Sequence, residues 1–354
     1  MTPKHLTTSL TLGAMTLGLA LAPSFTPTAA TAAEVDGPAV TWQVSLWGNR
    51  RGFTEGVEAL AAYVAEKTDG KFTLAMNYGA VLSDPTENID GLQLGAFEAG
   101  SVCSFYHPGK LPVSTGLNLA FLPLPTLESQ HKTYAEYMKH PAVQAEWASW
   151  NTVPLMSILM PNYEIMGRGE APLSVADWQG RRVNASGGHS PLMQALDAVP
   201  TTIPSPDMYS SMERGALDAI VYPYTYAFTA YSLQELSTWV TDNWNMGTVH
   251  CAFAANTDAW NALPQQYRDL IEAGVPQAYE HQIADYAETQ EKDEAEFEKR
   301  GIERVPLNDD VRATLEGAVK PSWDAWVADM DRRGHPGQEL LDLILTSAAA
   351  ATGE

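Results

Sequence analysis

The sequence predicts an α/β protein made of two similar units and braced by one long helix. Short apolar runs alternate with amphipathic helical patterns from about residue 41 onward, and the alternation restarts near Leu155. Such alternation builds sheets flanked by helices. The chain has 354 residues, which fits two domains at roughly 150 residues each. A charged stretch with few breakers, residues 264–301, reads as a helix long enough to support both units.

The elements follow in order. Residues 41–47 (TWQVSLW) alternate like a strand and run into a Gly-Asn-Arg-Arg-Gly loop. Phe53, Val57, Leu60 and Val64 recur at spacings of 4, 3 and 4, one face of a helix, which Thr68-Asp69-Gly70 stops. Residues 72–76 form the next strand, and a helix over 88–98 leads to an apolar strand at 101–105. Ligands of such sheets sit beyond the carboxyl ends of the strands. In the second unit a strand is expected at 181–184, helices at 193–196 and 208–217, and a strand at 218–222. Val275-Pro276 is expected to kink the long helix near one end.

Composition narrows the function. Apolar residues make up 45% of the chain and charged residues 18%, the balance of a folded globular protein. With 43 Asp and Glu against 21 Lys and Arg, the net charge is −22. That surface repels phosphate backbones, so no nucleic-acid partner is expected. Cys103 and Cys251 are too few for a disulfide scaffold and lack zinc-ligand spacing. In an oxidising compartment they either pair or stay as two separate buried thiols.

The N-terminus directs export. Lys4 and His5 precede an apolar run over residues 10–22, and Ala30-Thr31-Ala32 has the small-x-small form of a signal-peptidase site. The run is too short to span a bilayer, which takes about 20 residues, so residues 1–32 are expected to be a signal peptide. The alternative is an N-terminal arm.

No catalytic or metal motif survives inspection. Residues 86–97 resemble a calcium loop, but the first position is Thr86 and the twelfth is Phe97. Gly167 and Gly169 do not continue into a dinucleotide fingerprint. Ser190, in GGHSP, lacks the second glycine of a nucleophile elbow. The eight histidines show no metal-binding helical spacing. No cofactor is expected, and the chain reads as a binding protein and not an enzyme; a secreted hydrolase is the competing class.

Six stretches carry a wider likeness: VAEKTDGKFTLAMNYGAVL (residues 64–82), GLQLGAFEAG (91–100), the Leu-Pro pairs after Phe121, ADWQGRRVNA (176–185), ALDAVPTTIPSPDMYSSMERGALDAIVYP (195–223) and AANTDAWNALP (254–264). In this order they resemble the solute-binding subunit of TRAP transporters, the DctP-like family. The resemblance implies a two-domain periplasmic-binding-protein-like clamp on a long backbone helix, with a hinge between the domains. Residues 34–160 plus about 248–286 would form domain I, and about 161–247 plus 287–354 domain II. It further implies a monomer in the periplasm that closes over a small organic solute and docks on membrane permease subunits.

Against that family the binding positions change. Its usual carboxylate-binding arginine, four residues after the glycine of G-x-K-x-R-V, falls on Asn184, counted from Gly180. A second arginine position, twenty residues earlier, falls on Glu164, and the asparagine of D-G-x-x-N-P becomes Tyr222. Taken literally, these changes suit a small organic cation such as ethanolamine or a similar amine. Its ammonium would sit at Glu164 against the faces of Tyr222, Trp47, Phe105 and Trp244, at roughly 0.5–2 kcal/mol per ring, with Asn184 giving a neutral hydrogen bond. At about −1.5 kcal/mol per heavy atom at best, a four-atom amino alcohol only approaches micromolar affinity. The alternative is a small carboxylate held by Arg168, Arg181 or Arg182, since guanidinium matches carboxylate bidentately.

Overall fold

The computed structural model describes residues 34–353. The expected signal peptide, residues 1–32, lies outside the described residues.

Among the described residues eleven strands form two sheets. They are β1 (Val40–Ser45), β2 (Phe72–Asn77), β3 (Ala99–Cys103), β4 (Thr152–Ile158), β5 (Tyr163–Gly167), β6 (Arg182–Asn184), β7 (Val199–Thr201), β8 (Ala219–Pro223), β9 (Trp239–Asp242), β10 (Cys251–Asn256) and β11 (Glu303–Pro306). The first sheet has the order β2-β1-β3-β10-β4, and the second β11-β9-β5-β8-β6-β7. β1 runs parallel to β2 and β3, while β10 lies antiparallel between β3 and β4. In the second sheet β5 is antiparallel to both β8 and β9. Cys103 and Cys251 face each other in the β3–β10 register and are joined as a disulfide.

The periodicity of the first helix has its expected outcome. Gly52–Lys67 buries Phe53, Val57, Leu60 and Val64, each 4% exposed or less. Burying each such side chain contributes about 1.5–3 kcal/mol. Two other expected helices are shorter than the pattern suggested. The one over 88–98 ends at Gln93, because Gly95 turns the backbone left-handed (φ 67°), and Met208–Glu213 is followed by Gly215 at φ 71°. The strand expected at 101–105 is shifted to Ala99–Cys103, which leaves Phe105 in the single turn Ser104–Tyr106.

Three segments carry the chain between the sheets: the link from β4 to β5, the link from β9 to β10, and the helix Gln265–Arg300 between β10 and β11. That helix contains Pro276 and ends at left-handed Gly301. Tyr267, Ile271, Gly274, Ala278, Gln282 and Tyr286 form its buried face. It lies close against the first helix: a Cβ on Gly52 would fall 2.4 Å from the Tyr286 ring, and one on Gly274 2.6 Å from Tyr63. Gln282 donates from its buried amide to the carbonyls of Gly52 (3.0 Å) and Phe53 (3.3 Å). Farther along, Phe297 enters a second apolar cluster with Met166, Ile220 and Phe228. The final helix, Gly337–Thr352, packs on Leu127–Met138.

Candidate functional site

The loop after β1 places an arginine at the start of the first helix. Gly48 takes φ 65°, and the chain turns through residues 49 and 50 into Arg51, which precedes Gly52–Lys67. The Arg51 amide donates to the Thr54 hydroxyl (3.1 Å), and the Thr54 amide donates back to the Arg51 carbonyl (2.7 Å). This exchange settles the helix start. The Arg51 guanidinium then uses Nη1 on the carbonyls of Trp47 and Asn49, both at 2.8 Å. Among the described residues, no acceptor meets its Nε or Nη2 and no carboxylate pairs with it. A guanidinium keeps its charge at physiological pH. A cation here without a counter-ion is costly unless something anionic meets it.

Aromatic rings surround this charge. The guanidinium carbon lies 4.7 Å from the Phe53 centroid and 5.4 Å from that of Tyr231. Arg51 shares a cavity of about 20 Å³ with Trp47, Phe105, Tyr163, Tyr222 and Tyr226, and with the Cys103–Cys251 disulfide. That is room for about one water. The lining lies beyond the carboxyl ends of β1, β3 and β8, as ligand sites in α/β sheets do. Ser205 joins the halves: Tyr106, after β3, lies 3.2 Å from its hydroxyl, and Tyr222 on β8 donates to the same oxygen. Burial pushes the Tyr106 phenol up to about 12 and lifts Tyr222 well above its ordinary value, so both hydroxyls remain neutral.

The expected site residues divide. Trp47, Phe105 and Tyr222 line the Arg51 cavity. Glu164 is buried on β5, but its carboxylate accepts from the Thr241 hydroxyl and the Asn245 amide (2.9 Å). It lines a separate cleft with Asn162, Tyr224, Asp242 and Glu294. Burial raises its pKa to about 7, against the hydrogen bonds from Asn245 and Thr241. Asn184 is buried at the end of β6 and accepts from the Ile203 amide (2.8 Å), which holds the strand that leads to Ser205. Trp244 is a core residue; its indole donates to the Val305 carbonyl (3.1 Å) and packs on Trp178.

The three arginines of the carboxylate alternative lie elsewhere. Arg168 donates to the Met212 carbonyl (2.6 Å), Arg181 to the carbonyls of Asp177 (2.6 Å) and Glu170 (2.8 Å), and Arg182 grips Asp218 bidentately. None lines the cavity. Arg51, which does line it, was not singled out in the sequence. Its signal was present in the Arg-Arg-Gly that follows the first strand and opens the first helix. Among the described residues no cluster of His, Cys, Asp and Glu could hold a metal ion, and no helix is long and apolar enough to cross a membrane.

Comparison with known proteins matches the chain to a family. A monocarboxylate 2-oxoacid-binding periplasmic protein from Nostoc sp. is 24% identical over 300 residues, which span 81% of this chain and 78% of that protein. A TRAP solute-binding protein from a marine metagenome, specific for aromatic acid ligands and solved with metahydroxyphenylacetate, superposes with a TM-score of 0.80 at 16% identity, over 88% of this chain and 99% of that one. A TRAP solute-binding protein from Rhodoferax ferrireducens, solved with copurified benzoate, gives 0.79 at 16% identity, over 89% of this chain and 99% of that one. These superpositions identify the two-domain α/β fold of periplasmic binding proteins. Residues 45–329 match the model of bacterial extracellular solute-binding protein family 7, DctP. The chain therefore belongs to the DctP family of extracellular solute-binding proteins, receptors and not enzymes.

Proposed function

We propose that this protein is a periplasmic TRAP-transporter receptor for an organic acid. Arg51 grips the carboxylate, and the rings of Trp47, Phe53, Phe105 and Tyr222 enclose the rest. The observation that carries this reading is the unused Nε–Nη2 edge of the half-buried Arg51 guanidinium, which lies among aromatic rings. Arg50 uses that same edge on Glu55, and Arg182 uses it on Asp218. A solute carboxylate would complete at Arg51 the pairing that the protein supplies to the other two. The relatives named for acids support the same class.

The amine reading lacks such support. An ammonium beside Arg51 would be repelled, and Glu164, its intended partner, turns both carboxylate oxygens to Thr241 and Asn245. A cavity of about 20 Å³ admits no organic acid as it stands. The two halves part about the β4–β5 and β9–β10 links, and closure over the solute presents the form that docks on membrane permease subunits.

Titration calorimetry with benzoate, 3-hydroxyphenylacetate and 2-oxo acids, alongside benzylamine and ethanolamine, tests the reading. Acids should bind and amines should not. Arg51→Gln should weaken acid binding by at least about 100-fold, since two charge-assisted hydrogen bonds at roughly 1.5–3 kcal/mol each are lost. Binding of amines alone, or acid binding indifferent to Arg51→Gln, overturns it.

A further inference from the structure

Phe105 lines two cavities. On one side is the Arg51 cavity; on the other is a larger cavity of about 360 Å³. Three parts of the chain build the larger one. Asn118 and Leu119 come from the segment between β3 and β4, Pro191 and Thr202 from the second-sheet half, and Trp326 from the helix Asp309–Arg332. No charged residue lines it, although 18% of the chain is charged.

Its polar side chains are already engaged. Asn118 donates to the Ser104 hydroxyl (2.9 Å) and accepts from the His250 amide (2.6 Å). The Trp326 indole donates to the Thr115 hydroxyl (2.9 Å), and Thr202 donates to the Ala185 carbonyl (3.1 Å). What remains for a visitor is apolar: the Phe105 and Trp326 rings, Leu119 and Pro191. The volume falls within the range of small-molecule pockets, about 300–1,000 Å³, which are mostly apolar with few polar anchors.

We infer that this second cavity is a subsite for the apolar distal portion of the solute, with Phe105 as the partition that swings aside to join it to the Arg51 cavity. The inference rests on the carboxylate reading and deepens it: the preferred class is an acid whose carboxylate is separated from an aryl or alkyl end by several bonds. The subsite draws its walls from both halves, so an occupant that fills it also ties them together.

The test compares two probes, benzoate and 4-phenylbutanoate, on the exported chain and on Thr202→Trp and Trp326→Ala, each checked for unchanged far-ultraviolet dichroism and a cooperative melt. Thr202→Trp narrows the subsite at its rim, and Trp326→Ala removes one wall. The wild type should bind 4-phenylbutanoate at least 10-fold more tightly than benzoate. Each variant should lose most of that preference while its benzoate affinity stays within twofold. If both acids bind and the variants leave their ratio unchanged, the subsite is refuted and the carboxylate site stands. If neither acid binds, the carboxylate reading fails and the subsite falls with it. Should the two variants unfold, a wild type that binds both acids equally refutes the subsite without them.

Discussion

The Arg51 guanidinium lies 5.4 Å from the ring centroid of Tyr231 across the two halves of the protein. Arg51 opens the first helix behind β1, and Tyr231 closes the short helix Tyr226–Ala230 that follows β8. The approach is close: a Cβ on Gly48 would fall 2.8 Å from the Tyr231 hydroxyl. On the carboxylate reading this contact joins the residue that would hold the anion to the opposite half, so closure and solute capture would share one side-chain pair.

Replacement of Tyr231 therefore weakens solute binding without touching the carboxylate directly. A cation–π contact contributes about 0.5–2 kcal/mol, so Tyr231→Ala should weaken acid binding about 3- to 30-fold by calorimetry. Tyr231→Phe keeps the ring and removes a buried hydroxyl that has no hydrogen-bond partner. It should bind within twofold of the wild type. Equal damage from both substitutions would show that the hydroxyl, and not the ring, makes the contact.

Glu164 makes stability depend on pH in an unusual direction. Burial raises its folded-state pKa to about 7 from an ordinary value of 4.5. Between those values the folded protein holds the extra proton, so the contribution of this group is largest below about 4.5 and is lost as pH rises through about 7. Glu164→Gln mimics the protonated form. In thermal melts the variant should exceed the wild type at pH 8, and the advantage should shrink as pH falls and vanish below about pH 4.5. A gap that does not change with pH would contradict the assignment. Because variant and wild type share every other titrating group, the histidines held neutral by burial cancel from the difference.

The Cys103–Cys251 disulfide closes a loop of 148 residues and lies in the cavity wall. Removing such a cross-link costs about 2–4 kcal/mol, chiefly by freeing the unfolded chain. The double variant Cys103→Ala, Cys251→Ala should lose that amount in urea unfolding. The wild type treated with dithiothreitol should match it. A reduced wild type as stable as the oxidised one would rule out a stabilising role.

Much of the fold was legible because its elements obey local rules. Phe53, Val57, Leu60 and Val64 announce the first helix, and the charged run with few breakers after Pro264 announces the long one. Ends were harder to place: Gly95 and Gly215 stop two helices early, and a glycine inside an apolar pattern does not by itself announce a left-handed turn. The site was half legible. Trp47 and Phe105 follow strand ends, Tyr222 lies near the end of β8, and all three reach the cavity, whereas Trp244 also follows a strand and packs into the core, since only tertiary neighbours decide where an indole points. Counting from Gly180 led to Asn184 and Glu164, but not to the cation. Arg51 lies more than a hundred residues upstream, and only the pairing of β1 with β3 and the approach of β8 from the second sheet set it beside Phe105 and Tyr222.

On the carboxylate reading, a protein of net charge −22 with the Arg51 guanidinium set among aromatic rings presents an acid with two opposite fields in succession. Outside, the like-signed surface slows encounter, and dissolved salt relieves that repulsion beyond a Debye length of about 10 Å. Inside, the pairing is shielded from the same salt. On that reading the arrangement separates arrival from departure: ionic strength governs how often a solute is caught, and the Arg51 fork governs how long it stays. Selectivity is then expressed as residence time, the interval a receptor needs to travel to its membrane partner with its cargo still enclosed.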